Sequence, residues 1–230
     1  MFSTELSAVQ VLFLQAPTKV GIDDMISAIL RDLTLRRVLN VDKINSFPND
    51  RSRKTQKYFM FIMGEHYEGY EHAEFEKGFI KPFEEINQAQ AKTLTNFLLK
   101  KYSTPSGFIK DKIYTPLKKE GFVSSLPILK AFGYYKVKTK GKQIITEFND
   151  FLKTQEEKLE SLIDGDKGEF INTLKETGVY VFYFEKNNPK LYKNLISMVK
   201  RINRSKPLGA ENDLSNFMEA MNIDVSYFEE

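Results

Sequence analysis

The sequence contains no cysteine, no tryptophan and only two histidines. A chain without cysteine forms no disulfide, no Cys-ligated zinc site and no thiol nucleophile, and this composition is typical of a reducing compartment. The longest apolar runs, VYVFYF and VLFL, are far shorter than the about 20 residues that span a bilayer. The first residues lack the basic region and the small-residue cleavage site of a signal peptide. We therefore expect a cytoplasmic protein without a transmembrane segment, which can meet a membrane only at its surface.

Motifs of common enzyme classes are absent as well. The sequence has no G-x-x-x-x-G-K-[ST], no G-x-G-x-x-G and no G-x-S-x-G, so phosphate-loop, dinucleotide-binding and hydrolase functions have no support. Carboxylate pairs such as Glu84–Glu85 lie in charged helical segments and need no acid–base role. We predict no catalytic residue and no cofactor, although a catalytic site assembled from distant residues would show no such motif.

The net charge is only +3, but the charged residues come in blocks of one sign. Residues 31–57 carry eight Lys or Arg against three Asp, and residues 65–85 carry seven Glu against two Lys. Residues 92–142 carry twelve Lys against two acids, and all six charges in 186–204 are basic. Alternating blocks are consistent with one basic and one acidic face. The simpler explanation is a solvated surface whose charges cancel after folding.

The first part of the chain predicts two helices followed by two strands. Residues 3–15 form a helix with one apolar side, and residues 23–37 form a second helix whose apolar residues recur at helical spacing. Arg36 and Arg37 fall in the last turn of this second helix, where cations suit the macrodipole. VLNV and YFMFIM have strand composition and flank a long basic loop. Helix, strand, basic loop and strand in this order are the pattern of a winged-helix unit.

The middle of the chain repeats this order without repeating the residues. AQAKTLTNFLLKKYS and SGFIKDKIYTPLKKEGFV predict helices, and GYYKVKTKGKQ predicts a strand and a turn closed by Gly141. Before them, a phenylalanine every four residues from Phe75 to Phe83 predicts a helix that starts near Tyr70.

The remaining segments predict mostly helices. QIITEFNDFLKTQEEKLESLI predicts a long amphipathic helix, and GEFINTLKETG predicts a short helix closed by Gly178. Asn188 and Pro189 mark the start of another helix. VYVFYF is ambiguous between a strand and a buried helix.

These elements predict a mainly α-helical protein with short β-hairpins, of the α+β class. Tandem winged-helix-like units pack in one largely helical body. The predicted parts are a first winged-helix-like unit in 1–70, a second in 71–142, a C-terminal helical part of the same body in 143–204, and an acidic tail in 205–230.

The basic loops are the best candidates for an anion-binding site, because phosphate contacts need flexible cations on exposed elements. The first candidate loop offers four cations and an aromatic that could stack: Arg51, Arg53, Lys54, Lys57 and Tyr58. The second candidate is a row of alternating lysines on one predicted strand face: Lys136, Lys138, Lys140 and Lys142. Both loops could also be charged simply because they are solvated.

Two further sets of residues are weaker candidates. The acidic tail carries apolar side chains that could dock on the body or on a protein partner: Phe217, Met218, Met221 and Phe228. EHYEGYEH brings His66 and His72 close to several glutamates, a composition that could bind zinc or manganese. The spacing matches no metal-ligand pattern, and an acidic exposed loop explains it equally, so we predict no metal.

ISAILRDLTLRRVLNVD resembles the early core helix and strand of the Golgi phosphoprotein 3-like family, which bacteria also carry. In that family an apolar helix ends in Leu-Arg-Gly and runs into a strand. FIKDKIYTPLKKEGFV is similar to the family's later element, and equally to the cytoplasmic winged-helix region of a bacterial membrane-protein family of unknown function. The resemblance covers residues 3–180 loosely, with motifs of low specificity.

The resemblance implies a peripheral membrane adaptor. Such adaptors bind a phosphoinositide headgroup through basic residues and an aromatic, and they bind cytoplasmic tails of membrane enzymes. This chain has Arg37 where the family has glycine, and it has no tryptophan to serve a headgroup pocket. No site residue is carried over.

Two functions from different classes follow. The favoured one is a non-enzymatic adaptor that holds a protein partner and touches an anionic lipid surface with its basic hairpin tips. The alternative is a winged-helix nucleic-acid-binding protein. Against the alternative, the outer face of residues 23–37 consists of Asp24, Ser27, Arg31, Asp32, Thr34 and Leu35, and its two acids would meet phosphate. The near-zero net charge is also unlike that of a basic domain. A module that binds only protein is the third interpretation.

Overall fold

The structure is a computed structural model, and it describes residues 2, 5–17, 21–46, 53–102, 104–125, 135–205 and 214–223. The α-helices of these residues are α1 (Ala8–Gln15), α2 (Ile22–Leu35), α3 (Lys77–Ile80), α4 (Ala91–Tyr102), α5 (Pro105–Phe108), α6 (Thr115–Lys119), α7 (Thr139–Leu162), α8 (Lys167–Thr177), α9 (Phe184–Asn187), α10 (Pro189–Ser205) and α11 (Ser215–Met221). The segments Lys81–Glu84 and Gly178–Tyr183 are 3₁₀-helical, and Ile109–Tyr114 is π-helical.

The strands form two small antiparallel sheets. The described strands are β1 (Leu39–Ser46), β2 (Gln56–Met63), β3 (Gln88–Ala89), β4 (Val123–Ser125) and β5 (Tyr135–Val137). β1 and β2 form a hairpin in which Leu39 lies opposite Met63, and β3 adds to the other edge of β2. β4 and β5 form the second sheet, with Val123 opposite Val137. The prediction of a mainly α-helical protein with short antiparallel strands is confirmed.

The junction between α2 and β1 ends the helix with two characteristic hydrogen bonds. The Val38 N–H donates to the Leu33 carbonyl, and the Arg37 N–H donates to the Thr34 carbonyl, both at 3.0 Å. This pair of bonds is the Schellman motif, in which the first residue after the helix C-cap, here Arg37, must adopt a left-handed conformation. Arg37 takes that conformation with φ 55°, and it is the one non-glycine residue with positive φ in the described part of the chain.

The junction between α6 and β4 repeats this geometry. The Phe122 N–H donates to the Leu117 carbonyl at 2.9 Å, and the Gly121 N–H donates to the Lys118 carbonyl at 3.1 Å. Gly121 has φ 83° and therefore stands at the position equivalent to Arg37. We call α2–β1–β2 and α6–β4–β5 the two helix–hairpin units. Their helices end with the same backbone geometry, which the residue types alone do not reveal.

The α2 helix lies at the centre of the core. Its predicted apolar stripe is confirmed, since Met25, Ile26, Leu30 and Leu33 are fully buried. The α2 helix contacts α1, α11, β1 and the 3₁₀ segment Gly178–Tyr183. One hydrophobic cluster contains side chains from every part of the described chain, from Leu6 to Ile223.

Part of the predicted outer face of α2 is also buried. Ser27 and Arg31 are each 5% exposed, and Thr34 is fully buried. The Arg31 Nη1 atom lies 2.7 Å from Glu185 Oε2, and its Nη2 donates to the Ile223 carbonyl at 3.3 Å. The C-terminal elements therefore cover a face that the sequence predicts to be solvated.

One predicted helix begins at a different residue, and one ambiguous segment is resolved. The long amphipathic helix begins at Thr139 and includes Gly141, which was predicted to close a turn. A Cβ atom at Gly141 would lie 2.7 Å from the Phe122 carbonyl oxygen, so this glycine permits a close approach of two backbones. VYVFYF forms the 3₁₀ segment and the first residue of α9, which resolves the ambiguity in favour of buried helix.

The phenylalanine-rich segment is less helical than predicted. Phe75, Phe79 and Phe83 are all buried, as their spacing indicates. The α3 helix nevertheless has only one turn and continues as a 3₁₀ segment from Lys81 to Glu84. Pro82 lacks the N–H that an extended α-helix would need there.

Candidate functional site

The β1–β2 hairpin carries the first predicted anion-binding loop. Arg53 and Lys54 are exposed just before β2, and Tyr58 lies half-buried within that strand. Arg51 and the side chain of Lys57 lie outside the described residues. The described part of this loop therefore presents two exposed cations.

The second predicted anion-binding set is Lys136, Lys138, Lys140 and Lys142. The prediction that these lysines alternate on one strand face is wrong for Lys140 and Lys142, because α7 begins at Thr139. The Lys140 Nζ atom lies 2.7 Å from Glu5 Oε1 and 4.0 Å from the centroid of the Phe122 ring. Lys140 is thus engaged within the molecule.

The predicted partner-binding residues lie mostly in α11, which packs against α2, β1 and α10. Phe217 is 3% exposed and belongs to the core, while Met218 and Met221 are partly buried against it. Phe228 lies outside the described residues. Of the two predicted alternatives, docking on the body holds for Phe217, so this side chain is corrected from a partner-binding residue to a core residue.

The two histidines do not assemble a metal site in the described part of the chain. No three His, Cys, Asp or Glu residues come close enough there to hold a metal ion. The His66 Nδ1 atom lies 3.0 Å from the Arg36 carbonyl oxygen, and its Nε2 atom lies 3.4 Å from Glu65 Oε1.

The outer side of α10 is a strongly basic surface. Its apolar side is buried, and its exposed charged residues are all basic: Lys190, Lys193, Lys200, Arg201 and Arg204. We call these five residues the α10 basic face. From Lys190 to Arg204 the face extends about 21 Å along the helix. No salt bridge joins any of these cations to an acid within the described residues.

The sequence showed the basic block in 186–204 but did not show which way its charges face. The structure supplies the missing information, because Leu191, Leu195 and Val199 fix the buried side of α10. The remaining positions must then project outward at helical spacing.

A polar network lies where α2 ends. Arg36 caps the helix, and its Nη2 atom lies 2.6 Å from Asp32 Oδ2 and 2.5 Å from Glu76 Oε1. Arg36 also donates to the Tyr70 hydroxyl, which in turn donates to Glu76 Oε2 at 3.1 Å. The Ala73 N–H donates to the same Glu76 oxygen at 2.7 Å. Arg36 is therefore more than the polar end of a helix.

Burial and charge shift the acid–base properties of this network. Burial raises the pKa of Asp32, and the neighbouring Glu76 adds to the rise, while Arg36 opposes it. Burial also raises the pKa of Tyr70. Glu76 is only 3% exposed, and its two oxygens accept hydrogen bonds from Arg36, Tyr70 and Ala73.

The network forms one side of a cleft of about 570 Å³. We call it the Asp32 cleft. Its other walls come from distant parts of the chain and are largely apolar: Phe2, Leu6, Leu35, Phe75, Val179 and Phe217. Tyr180 lines the cleft and is 8% exposed. Burial raises the pKa of the Tyr180 hydroxyl, and the charge of Asp32 adds to the rise.

A second cavity of about 420 Å³ adjoins the Asp32 cleft. Ala8, Val179 and Tyr180 line both spaces. Arg31 lines the second cavity, and its Nε atom is buried without a hydrogen-bond partner.

The Asp32 cleft was not predicted from the sequence. The only local signal is the spacing of Asp32 and Arg36, which are four residues apart on α2 and can form an ion pair in any helix. Glu76, Tyr180 and Phe217 join them only through the fold.

A scan against protein-family models, a search of curated proteins and a search of solved structures found no match to this chain. In the described residues, no helix combines the length and the apolar character needed to cross a membrane.

Proposed function

We propose that this protein is a non-enzymatic adaptor that binds an anionic membrane surface through the α10 basic face. The observation that carries the proposal is the exposure of five cations on one side of α10, with no acid among the exposed residues of that helix. A row of this kind attracts anionic headgroups, and each cation near such a surface contributes about 1 kcal/mol. The exposed Arg53 and Lys54 of the hairpin are a second, smaller contact for the same kind of surface.

The burial of α2 supports a membrane surface over DNA as the anionic ligand. A winged-helix protein that reads DNA inserts a recognition helix into the major groove, so one side of that helix must be free. In α2 even the polar Ser27, Arg31 and Thr34 are buried. The near-zero net charge points in the same direction.

The winged-helix description of the two helix–hairpin units belongs to this proposal. It is supported by their common order of helix, strand and strand and by their equivalent helix ends at Arg37 and Gly121. In the proposed adaptor these two units have a structural role and do not read DNA.

The protein partner of the adaptor is also part of the proposal. Met63 and Phe97 are the large apolar side chains that the described surface exposes most, at 39% and 38%. Phe97 lies on α4 with Lys100 beside its ring, and it is the residue around which we expect a partner to bind.

The proposal is tested by cosedimentation with vesicles of neutral lipid and with vesicles that contain phosphatidylserine, over a series of salt concentrations. We expect binding only to the anionic vesicles, with affinity that falls as salt rises. The α10 variant Lys190→Ala/Lys193→Ala/Lys200→Ala/Arg204→Ala should bind at least about tenfold more weakly, given about 1 kcal/mol for each cation.

A matched variant removes the same number of charges elsewhere: Lys92→Ala/Lys100→Ala/Lys101→Ala/Lys110→Ala. All four of these lysines are exposed. Equal losses in the two variants would mean that only net charge matters and would refute the α10 basic face as the contact. Salt-dependent binding to duplex DNA with no binding to anionic vesicles would favour the nucleic-acid function instead.

A further inference from the structure

The Asp32 cleft carries an imbalance of charge that is independent of the proposed membrane contact. The lining carries the carboxylates of Asp32, Glu71 and Glu76 against the cations of Arg36 and Lys175, and Asp32 and Glu76 share the Arg36 guanidinium. Glu76 is satisfied by Arg36, by the Tyr70 hydroxyl and by a backbone N–H. Asp32 accepts from Arg36 through Oδ2 only. A partly buried carboxylate that shares its cation with another carboxylate is stabilised by any further positive charge beside it.

Two polar atoms of the cleft lack a hydrogen-bond partner in the described structure. One is Oδ1 of Asp32, since only Oδ2 accepts a hydrogen bond. The other is the hydroxyl of Tyr180, a residue that is 8% exposed. Asp32 and Tyr180 both line the cleft, and the Asp32 side chain is 28% exposed, so these two atoms are open to water or to a ligand. A carboxylate oxygen and a hydroxyl that line one cleft without a protein partner can both accept from a donor group that carries positive charge.

The rest of the cleft selects an apolar body for this ligand. The walls opposite the network include Phe2, Val179 and Phe217. A space of about 570 Å³ lies within the range of about 300 to 1,000 Å³ that is typical of small-molecule sites. A hydrated inorganic cation would leave these apolar walls without contact, whereas an amine with a hydrocarbon or aromatic body would cover them.

We propose that the Asp32 cleft binds an organic ammonium ion with an apolar body. The ammonium group donates to Asp32 Oδ1 and to the Tyr180 hydroxyl, and the body packs against Phe2, Val179 and Phe217. A carboxylate or phosphate ligand is disfavoured, because its charge would add to those of Asp32 and Glu76.

The test uses the full chain and two series of probes, measured by isothermal titration calorimetry. The amines are 2-phenylethylamine and hexylamine, and their neutral and anionic counterparts are 2-phenylethanol, hexanol and 3-phenylpropanoate. We expect saturable binding of at least one amine and at least about tenfold weaker binding of the matching alcohol, since a charged hydrogen bond is lost. No saturable binding of either amine, or equal binding of amine and alcohol, would overturn the proposal.

Variants locate the bound amine. Asp32→Asn should weaken amine binding at least about tenfold, while Glu71→Gln, which removes an exposed carboxylate from the edge of the same cleft, should leave it nearly unchanged. Tyr180→Phe keeps the aromatic wall and loses only the hydroxyl, so it tests the site even if Asp32→Asn impairs folding. Unchanged amine affinity in Tyr180→Phe and in a folded Asp32→Asn would refute the site. Loss of affinity in Glu71→Gln equal to that in Asp32→Asn would do the same.

Discussion

Arg37 occupies a backbone conformation that usually belongs to glycine. Its φ of 55° closes α2, as the glycine at 121 closes α6. For a residue with a Cβ atom this conformation costs about 1–2 kcal/mol. The Arg37 side chain contributes contacts that glycine could not make, since its Nη1 atom lies 2.6 Å from Glu65 Oε1 and its hydrogen bond lowers the pKa of that carboxylate.

The first prediction separates the backbone of Arg37 from its side chain. Arg37→Gly and Arg37→Ala both remove the ion pair with Glu65, and they differ only in the Cβ atom. We expect Arg37→Gly to be more stable than Arg37→Ala by about 1 kcal/mol, because the Cβ atom of alanine disfavours the left-handed conformation and glycine has none. Urea unfolding of the two variants measures the difference, and an alanine variant as stable as the glycine variant would contradict the helix-end geometry.

The second prediction concerns the pH dependence that Asp32 gives to stability. Burial raises the pKa of Asp32 in the folded protein above its usual value of about 3.9. The folded state therefore holds the proton to higher pH than the unfolded chain does, and stability falls as pH rises above about 4. In Asp32→Asn this fall is removed.

The measurement for Asp32 is urea unfolding of both proteins between pH 4 and pH 7. The stability of Asp32→Asn relative to the unaltered protein should increase with pH across this range. A relative stability that stays constant, or that decreases with pH, would mean that the Arg36 ion pair outweighs burial.

At the scale of elements, α11 is part of the core. Phe217 fills a buried position, and α11 contacts α2, β1 and α10. The side chain of Asn216 donates to the Leu35 carbonyl at 2.6 Å, next to the end of α2. Glu219 accepts from the Val41 N–H at 2.9 Å on β1. The element that the sequence suggests as part of an acidic tail thus holds α2 and β1 together.

The third prediction follows from this packing. Phe217→Ala should destabilise the protein by about 3 to 5 kcal/mol, as is usual for a buried phenylalanine. Met218→Ala, at a partly buried neighbouring position, should cost clearly less. Unfolding midpoints in urea give both values. If Phe217→Ala lowered the free energy of unfolding no more than Met218→Ala does, Phe217 would not be a core residue.

Local signals predicted the boundaries of several elements. Asn188 caps α10 as expected, since the Leu191 N–H donates to its side-chain oxygen at 3.0 Å. Gly178 follows α8 with φ 59°, as a helix-closing glycine should. These signals depend on a few adjacent residues, and the fold does not override them.

The sequence could not predict features that depend on distant contacts. Gly141 looks like a turn residue, but it serves the close approach of α7 to the Phe122 carbonyl. A turn and a close approach of two backbones can both require glycine. Only the contact that the fold creates, here with the Phe122 carbonyl, shows which of the two applies. For the same reason the Asp32 cleft has no sequence signature, because Asp32 and Tyr180 meet only after α2 and the 3₁₀ segment have packed.

At the scale of the whole molecule, one core joins both helix–hairpin units to the C-terminal helices. The α1 helix contacts α7 as well as α2, and the 3₁₀ segment Gly178–Tyr183 contacts α2 as well as α8. Neither helix–hairpin unit therefore buries its apolar residues alone.

The fourth prediction is a single cooperative unfolding transition. Far-ultraviolet circular dichroism and tyrosine fluorescence should give the same midpoint in urea, since a shared core couples all parts of the chain. Two separate midpoints would mean that one helix–hairpin unit is an independent domain.

Tyr180, Ala8 and Val179 line both the Asp32 cleft and the second cavity, so the two spaces share part of their walls. A ligand that moved one of these shared side chains from one space would change the shape of the other. Thermodynamic linkage then requires the influence to run both ways with equal free energy. For any ligand that moves this shared wall, occupation of one space would therefore change the affinity of the other.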